Sequence, residues 1–168
     1  MYYLAYGSNL HPLRLTRRVP NASFVGTTRL DGALLTFQKL SADGSSKCNL
    51  DFTGHPTHVA YCAVYDIPKN EVHLLDEAEG LGIGYYKQQL LVNVGEDSLN
   101  VFLYLASQTH LVAELEPYHW YKGFVIAGAR KHHFPTEYIE QIASVTSKDD
   151  LTNSRRIQME NLLEQLKS

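Results

Sequence analysis

The chain has little of what staples or advertises a specialised small protein. Only two of its 168 residues are cysteine, Cys48 and Cys62, and their spacing matches no metal or redox motif, so both read as free thiols. Basic charge is not in excess: 15 Lys and Arg stand against 18 Asp and Glu, a net charge of -3. Without a basic field, nucleic acid and anionic membrane surfaces are not expected as partners. No apolar run approaches the ~20 residues of a membrane span. Repeats and low-complexity tracts are absent. A secretory leader needs roughly 15–30 residues ahead of the mature fold. Here the most distinctive stretch already occupies residues 3 to 10, so the expectation is a leaderless, cytoplasmic protein. At this length one domain, 1–168, buries roughly two thirds of its extended surface without staples.

What is present is concentrated first in Tyr3-Leu4-Ala5-Tyr6-Gly7-Ser8-Asn9-Leu10. Met1 to Tyr6 is apolar and aromatic, a buried strand; Gly7-Ser8-Asn9 breaks it, and His11-Pro12 opens a short helical pattern. Gly7 lets a ligand approach the backbone, and free N–H groups at such a loop favour an anion such as a carboxylate. A plain strand–helix turn with Asn9 as the helix cap is the competing reading.

Downstream, Arg14, Arg17 and Arg18 crowd the end of the short helix, where cations complement the helix dipole. Ala22 to Gln38 reads as strand, turn, strand, and residues 39 to 50 as a polar loop in which Lys47 is a solvated lysine or a partner for a carboxylate. His58 to Ile67 is a strand. His55 and His58 stand three apart, but off a helix they do not share a face, and no metal is expected. Pro68 to Glu79 is the clearest short helix, with Gly80 where a left-handed terminal residue belongs. Glu79 therefore faces the negative helix pole with Asp76 on the same side, the setting of a proton-transferring acid or simply of an exposed acidic helix end. Tyr85 to Val94 and Asn100 to Ala106 form a strand pair. On it, Tyr104 points either toward Glu79 or into the core. Helical periods follow through Tyr121, Val125 and Ala129, from Pro135 through Tyr138 and Ile142, and in a tail of residues 150–167 through Ile157, Met159, Leu162, Leu163 and Leu166. His132-His133 look like cations at a helix end, and 144–150 like a linker.

Tyr6-Gly7-Ser8-Asn9, joined to Leu75-Asp76-Glu77-Ala78-Glu79-Gly80 and then to Gly84 and Tyr86, Tyr121-Lys122, Gly128-Ala129 and Phe134-Pro135-Thr136-Glu137-Tyr138, resembles the γ-glutamylcyclotransferase (AIG2-like) family in the same order. The resemblance covers roughly residues 2 to 145. It implies an α+β fold, a mixed, partly closed β-barrel flanked by helices. It also implies a cofactor-independent lyase or acyltransferase-type enzyme of glutathione metabolism, in which a γ-glutamyl small molecule closes on itself to 5-oxoproline. The residues that carry over are Glu79 as general acid/base, with Tyr3, Leu4, Ala5, Tyr6, Gly7, Ser8, Asn9, Tyr104 and Tyr121 around the substrate. No metal, nucleic acid or membrane enters, and a homodimer is open. The rival readings are a non-catalytic binding module of the same fold and a cyclotransferase for other γ-glutamyl-acyl or γ-glutamyl-amine substrates.

Overall fold

A computed structural model describes residues 1–167. Its central strand, β1 (Tyr2–Ala5), is the apolar run that opens the chain, and Leu4 and Ala5 are wholly buried. In chain order there follow α1 (Pro12–Thr16), β2 (Ser23–Asp31), β3 (Ala33–Leu40), β4 (Ser46–Phe52), β5 (Val59–Asp66), α2 (Val72–Glu79), β6 (Tyr85–Val94) and β7 (Asp97–Ala106). Three helices close the chain: α3 (His119–Lys131), α4 (Thr136–Ser144) and α5 (Asn153–Leu166). Among the described residues no helix is long and apolar enough to cross a membrane.

Five strands make one mixed sheet in the order β2-β5-β1-β7-β6. β1 runs antiparallel to β5 and parallel to β7, so both of its edges are paired and its C-terminal end opens into the Gly7 turn. β3 and β4 form a separate two-stranded sheet, a hairpin. The sheet curls until its two edges meet: a Cβ on Gly26 of β2 would lie 2.4 Å from Val94 Cγ1 of β6. No ladder joins those edges, so the sheet is curved but not closed into a barrel. The α+β class and the flanking helices are as the sequence implied.

Residues 46 to 50, read as loop from their polarity, are strand instead. Asn49 explains why the alternation is disguised: it is buried, and its Oδ1 accepts from the Ala106 N–H at 2.8 Å. A polar side chain in a strand interior is affordable when it is satisfied.

The helices fix the site's far wall. α3 lies so close to the turn after β1 that a Cβ on Gly128 would come within 2.3 Å of Leu10 Cβ and 2.8 Å of the His11 nitrogen. α5 covers α3, with Leu163 against Gly123. Ile157, expected on that buried stripe, is 54 % exposed. Two positions before Met159, it sits about 200° round the helix from it. Residues 144–150, read as a linker, are tied down: the Lys148 N–H donates to Pro117 O at 2.9 Å, and Lys122 Nζ donates to Val145 O at 2.7 Å.

Candidate active site

The turn after β1 is closed by the Leu10 N–H donating to Gly7 O at 3.0 Å. His11, not Asn9, caps α1, its Nδ1 accepting from the Leu13 N–H at 3.2 Å. Asn9 is thereby released for other work. Its Nδ2 donates to Tyr3 Oη at 3.2 Å and to Glu79 Oε1 at 2.9 Å, while its Oδ1 accepts from Arg18 Nη1 at 3.0 Å. Arg18 Nη1 also reaches Glu79 Oε1 at 2.8 Å. Strand, turn, helix end and acid are thus one network. Both donors engage Oε1, and Glu79 Oε2 meets no protein donor among the described residues.

Gly80 ends α2 in the left-handed conformation (φ 67°), its N–H returning to Glu77 O at 3.1 Å, which fixes where the Glu79 side chain emerges. Asp76, expected to crowd Glu79, is turned away to Lys87 at 2.6 Å and to the Tyr104 hydroxyl at 2.5 Å. Tyr104 therefore serves Asp76 and not Glu79, although its ring packs edge-on to Tyr3. Asp76 and Glu79 thus have separate cations, Lys87 and Arg18.

A floor of tyrosines lies beneath the turn. A Cβ on Gly7 would be 2.9 Å from Cys48 Cβ, so the close approach of β4 itself requires glycine here. The Cys48 peptide is clamped on both sides: its N–H donates to Tyr121 Oη at 3.0 Å, and its carbonyl accepts from Tyr85 Oη at 2.6 Å. Tyr6 donates to the Tyr104 carbonyl. Burial first, then the negative charge of Glu79, pushes the Tyr3 hydroxyl up, and burial pushes up those of Tyr6, Tyr85 and Tyr121. All four stay neutral, able to donate but not to act as bases.

Two hollows meet at Glu79. A narrow recess of about 20 Å³ is bounded by Tyr3, Gly7, Asn9, Cys48 and Tyr104, and beside it lies a chamber of about 430 Å³. Ser8, Glu79, Tyr85 and Tyr121 line both. Arg14, Arg18, Lys39 and Lys47 line the chamber, which makes it cationic. Among the described residues, the Ser8 and Asn9 amides donate to no protein acceptor.

The structure brings Tyr3, Tyr6, Gly7, Ser8, Asn9, Glu79, Tyr104 and Tyr121 to one place. Leu4 and Ala5 do not line it; they are ladder residues, paired with Val64 and Ala63. Tyr86 is half exposed, and its neighbour Tyr85 is the one that enters. Arg14 and Arg18 are wall residues and not merely helix-end cations. Lys47 is not solvated: it donates to Asp43 at 2.9 Å and to Ser45 at 2.7 Å, and lies 4.8 Å above the Tyr121 ring. His132 is no dipole cation either. Burial lowers its pKa, it stacks on Phe24, and Nε2 lies 2.7 Å from Leu10 O. His55 and His58 sit beside Thr57 and Thr53, and no metal-binding group of three forms among the described residues.

Sequence reasoning missed Arg14, Arg18, Lys39, Cys48 and Tyr85 as site residues. Arg14 and Arg18 had a signal, three arginines between residues 14 and 18 at the end of a helix too short to need them for its dipole. Lys39, at the start of a polar stretch, had none.

The fold is shared with known structures. One described as gamma-glutamyl cyclotransferase superposes with a TM-score of 0.83 at 24 % identity over 98 % of both chains. An uncharacterized protein from Homo sapiens gives 0.82 at 25 % identity over 97 % of both. The curled mixed sheet with its flanking helices is therefore the γ-glutamylcyclotransferase-like fold. The model of the AIG2-like family matches residues 59–142, and the chain belongs to that family. Among curated proteins it is similar to gamma-glutamylcyclotransferase of Homo sapiens, at 26 % identity over 88 % of this chain and 79 % of the relative. The protein of the same name from Mus musculus is 27 % identical over 85 % and 77 %.

Proposed function

We propose that the chain is a γ-glutamylcyclotransferase, converting a γ-glutamyl amino acid or amine to 5-oxoproline and the free amine. The observation that carries this reading is the 2.9 Å contact between Glu79 and Asn9, which places an acid with an unengaged oxygen against the glycine turn.

A γ-glutamyl compound brings its own nucleophile. Its α-amino nitrogen attacks the γ-carbonyl carbon, forming the ring C–N bond, and the amide C–N bond then breaks to release the amine. Neither an enzyme nucleophile nor a cofactor is required. Holding amine and carbonyl in line is worth up to ~7–11 kcal/mol in favourable cases, and a positioned base adds on the order of 10²–10⁴-fold. The α-ammonium, with an ordinary pKa of ~8, must lose a proton first. Glu79 takes it on Oε2, while Asn9 and Arg18 hold Oε1 and so fix the rotamer, and returns it to the leaving nitrogen as the amide C–N bond breaks; the second proton, shed by the ring nitrogen once its bond to carbon has formed, follows the same route, so the amine leaves as an ammonium. The Ser8 and Asn9 amides offer N–H groups to the carbonyl oxygen as it becomes an oxyanion. Arg14 is buried, and its guanidinium is pushed down to about 9 by that burial. It supplies a counter-charge for the glutamyl α-carboxylate at the inner wall of the chamber.

We place the reaction in the cytoplasm and in glutathione metabolism, where the buried free thiols Cys48 and Cys62 persist without oxidant. The test is 5-oxoproline release from a panel of γ-glutamyl dipeptides. Wild type is expected to release it, and Glu79→Gln to lose turnover by about 10²-fold or more with the fold intact by circular dichroism. Wild-type turnover in Glu79→Gln would remove Glu79 from its role. Binding without any release by the wild type would favour a non-catalytic module.

A further inference from the structure

The charges around the chamber do not balance, and the imbalance has an address. Arg18 is matched by Glu79 at 2.8 Å, and Lys47 by Asp43 at 2.9 Å. The remaining acid on the wall, Glu77, is exposed at the rim. That leaves two cations, Arg14 and Lys39, to which no carboxylate or carbonyl comes among the described residues. Arg14 is buried at the inner end, its guanidinium 3.9 Å over the Phe124 ring and its Nε without a partner. Lys39 is half-buried on the opposite wall, its Nζ 4.7 Å above the Tyr85 ring. An anion that meets both walls of one chamber is a molecule with two negative groups.

Lys39 also has room made for it. A Cβ on Gly84 would lie 2.7 Å from Lys39 Cε and 2.9 Å from Nζ, so the absence of a side chain at Gly84 is what lets the ammonium lie across the strand start. Depth orders the two cations along the chamber. Arg14, Ser8 and Tyr121 are buried beside the glycine turn, whereas Lys39 neighbours Leu40, which is 36 % exposed, and Ile83, which is 78 % exposed. With Glu79 at the junction of recess and chamber, a substrate whose glutamyl head sits at the turn must send its leaving group outward past Lys39.

We propose that Lys39 is a specificity-determining residue: its ammonium receives a carboxylate on the leaving group, so that the chain selects γ-glutamyl amino acids over γ-glutamyl amines. This rests on the cyclotransferase reading above. The flanking Leu40 and Ile83 give the same leaving group an apolar surface for its side chain.

The experiment compares kcat/KM for γ-glutamylalanine and γ-glutamylethylamide, which differ only in that carboxylate. A charge-assisted hydrogen bond predicts that wild type prefers the alanine compound by about tenfold or more. Lys39→Met should collapse this preference through KM and not kcat, Lys39→Arg should keep most of it, and Gly84→Ala, which displaces the ammonium, should erode it. Absence of a preference in wild type, or an undiminished preference in Lys39→Met, overturns the proposal. If neither compound yields 5-oxoproline, the cyclotransferase reading fails, and titration calorimetry with the same pair decides Lys39 separately. Carboxylate-dependent binding that is lost in Lys39→Met supports it, and equal binding of both compounds overturns it.

Discussion

The two walls that face each other across the chamber use their polar groups in opposite ways. On the Tyr6–Asn9 side the groups around the acid position one another: Asn9 holds Tyr3, Arg18 and Glu79 together, Arg18 doubles the hold, and, among the described residues, only Arg14 at the inner end is left without a carboxylate. On the β3–β4 side the loop folds on itself through Asp43, Ser45 and Lys47, and Lys39 is left with only the face of a ring. A wall whose groups position one another is suited to chemistry, where a misplacement of about 1 Å can cost 10²-fold. A wall with an uncommitted charge is suited to choosing what binds. Reaction and selection are divided between two parts of the chain far apart in sequence.

That division can be broken from either side. Gly7→Val should do the most harm, since its side chain must displace Cys48 and the β4 backbone behind it. A loss of about 10²-fold in kcat/KM, with KM raised steeply, is expected; unchanged KM would contradict the close approach. Arg18→Met should cost about tenfold in kcat by loosening the Glu79 rotamer, with little change in KM. An equal loss in KM would instead make Arg18 a substrate ligand.

The hairpin wall responds to acid. Burial alone would raise the Asp43 pKa, but the hydrogen bonds from Lys47 and Ser45 outweigh it and hold the carboxyl at about 2, below its ordinary 3.8. Its contribution to stability is therefore present above pH 3.8 and is lost as the pH falls toward 2. Asp43→Asn should remove this part of the acid sensitivity while being less stable near neutrality, a modest effect read from thermal melts across that range. An identical acid profile in the variant would mean that the Asp43–Lys47 pair does not hold the loop.

Much of this arrangement is legible in the residues. The apolar run of β1, the glycine turn, the α2 helix ending at Gly80 and the β6–β7 pair follow from periodicity and punctuation, and they bring Gly7 and Glu79 into view. What escaped does so for physical reasons. β4 is hidden because Asn49 spends its polarity on a backbone amide inside the core. The pairing of Arg18 with Glu79 joins residues 61 apart, a distance no local pattern encodes. Tyr104 could point toward Glu79 or into the core, and the fold gives it a third partner, Asp76.

The most direct measurement is a crystal structure of the protein soaked with 5-oxoproline. The account predicts the ring beside Gly7, with its nitrogen within hydrogen-bond reach of Glu79 Oε2. Density for the ring elsewhere, or a Glu79 carboxyl turned from an occupied turn toward bulk water, would contradict it.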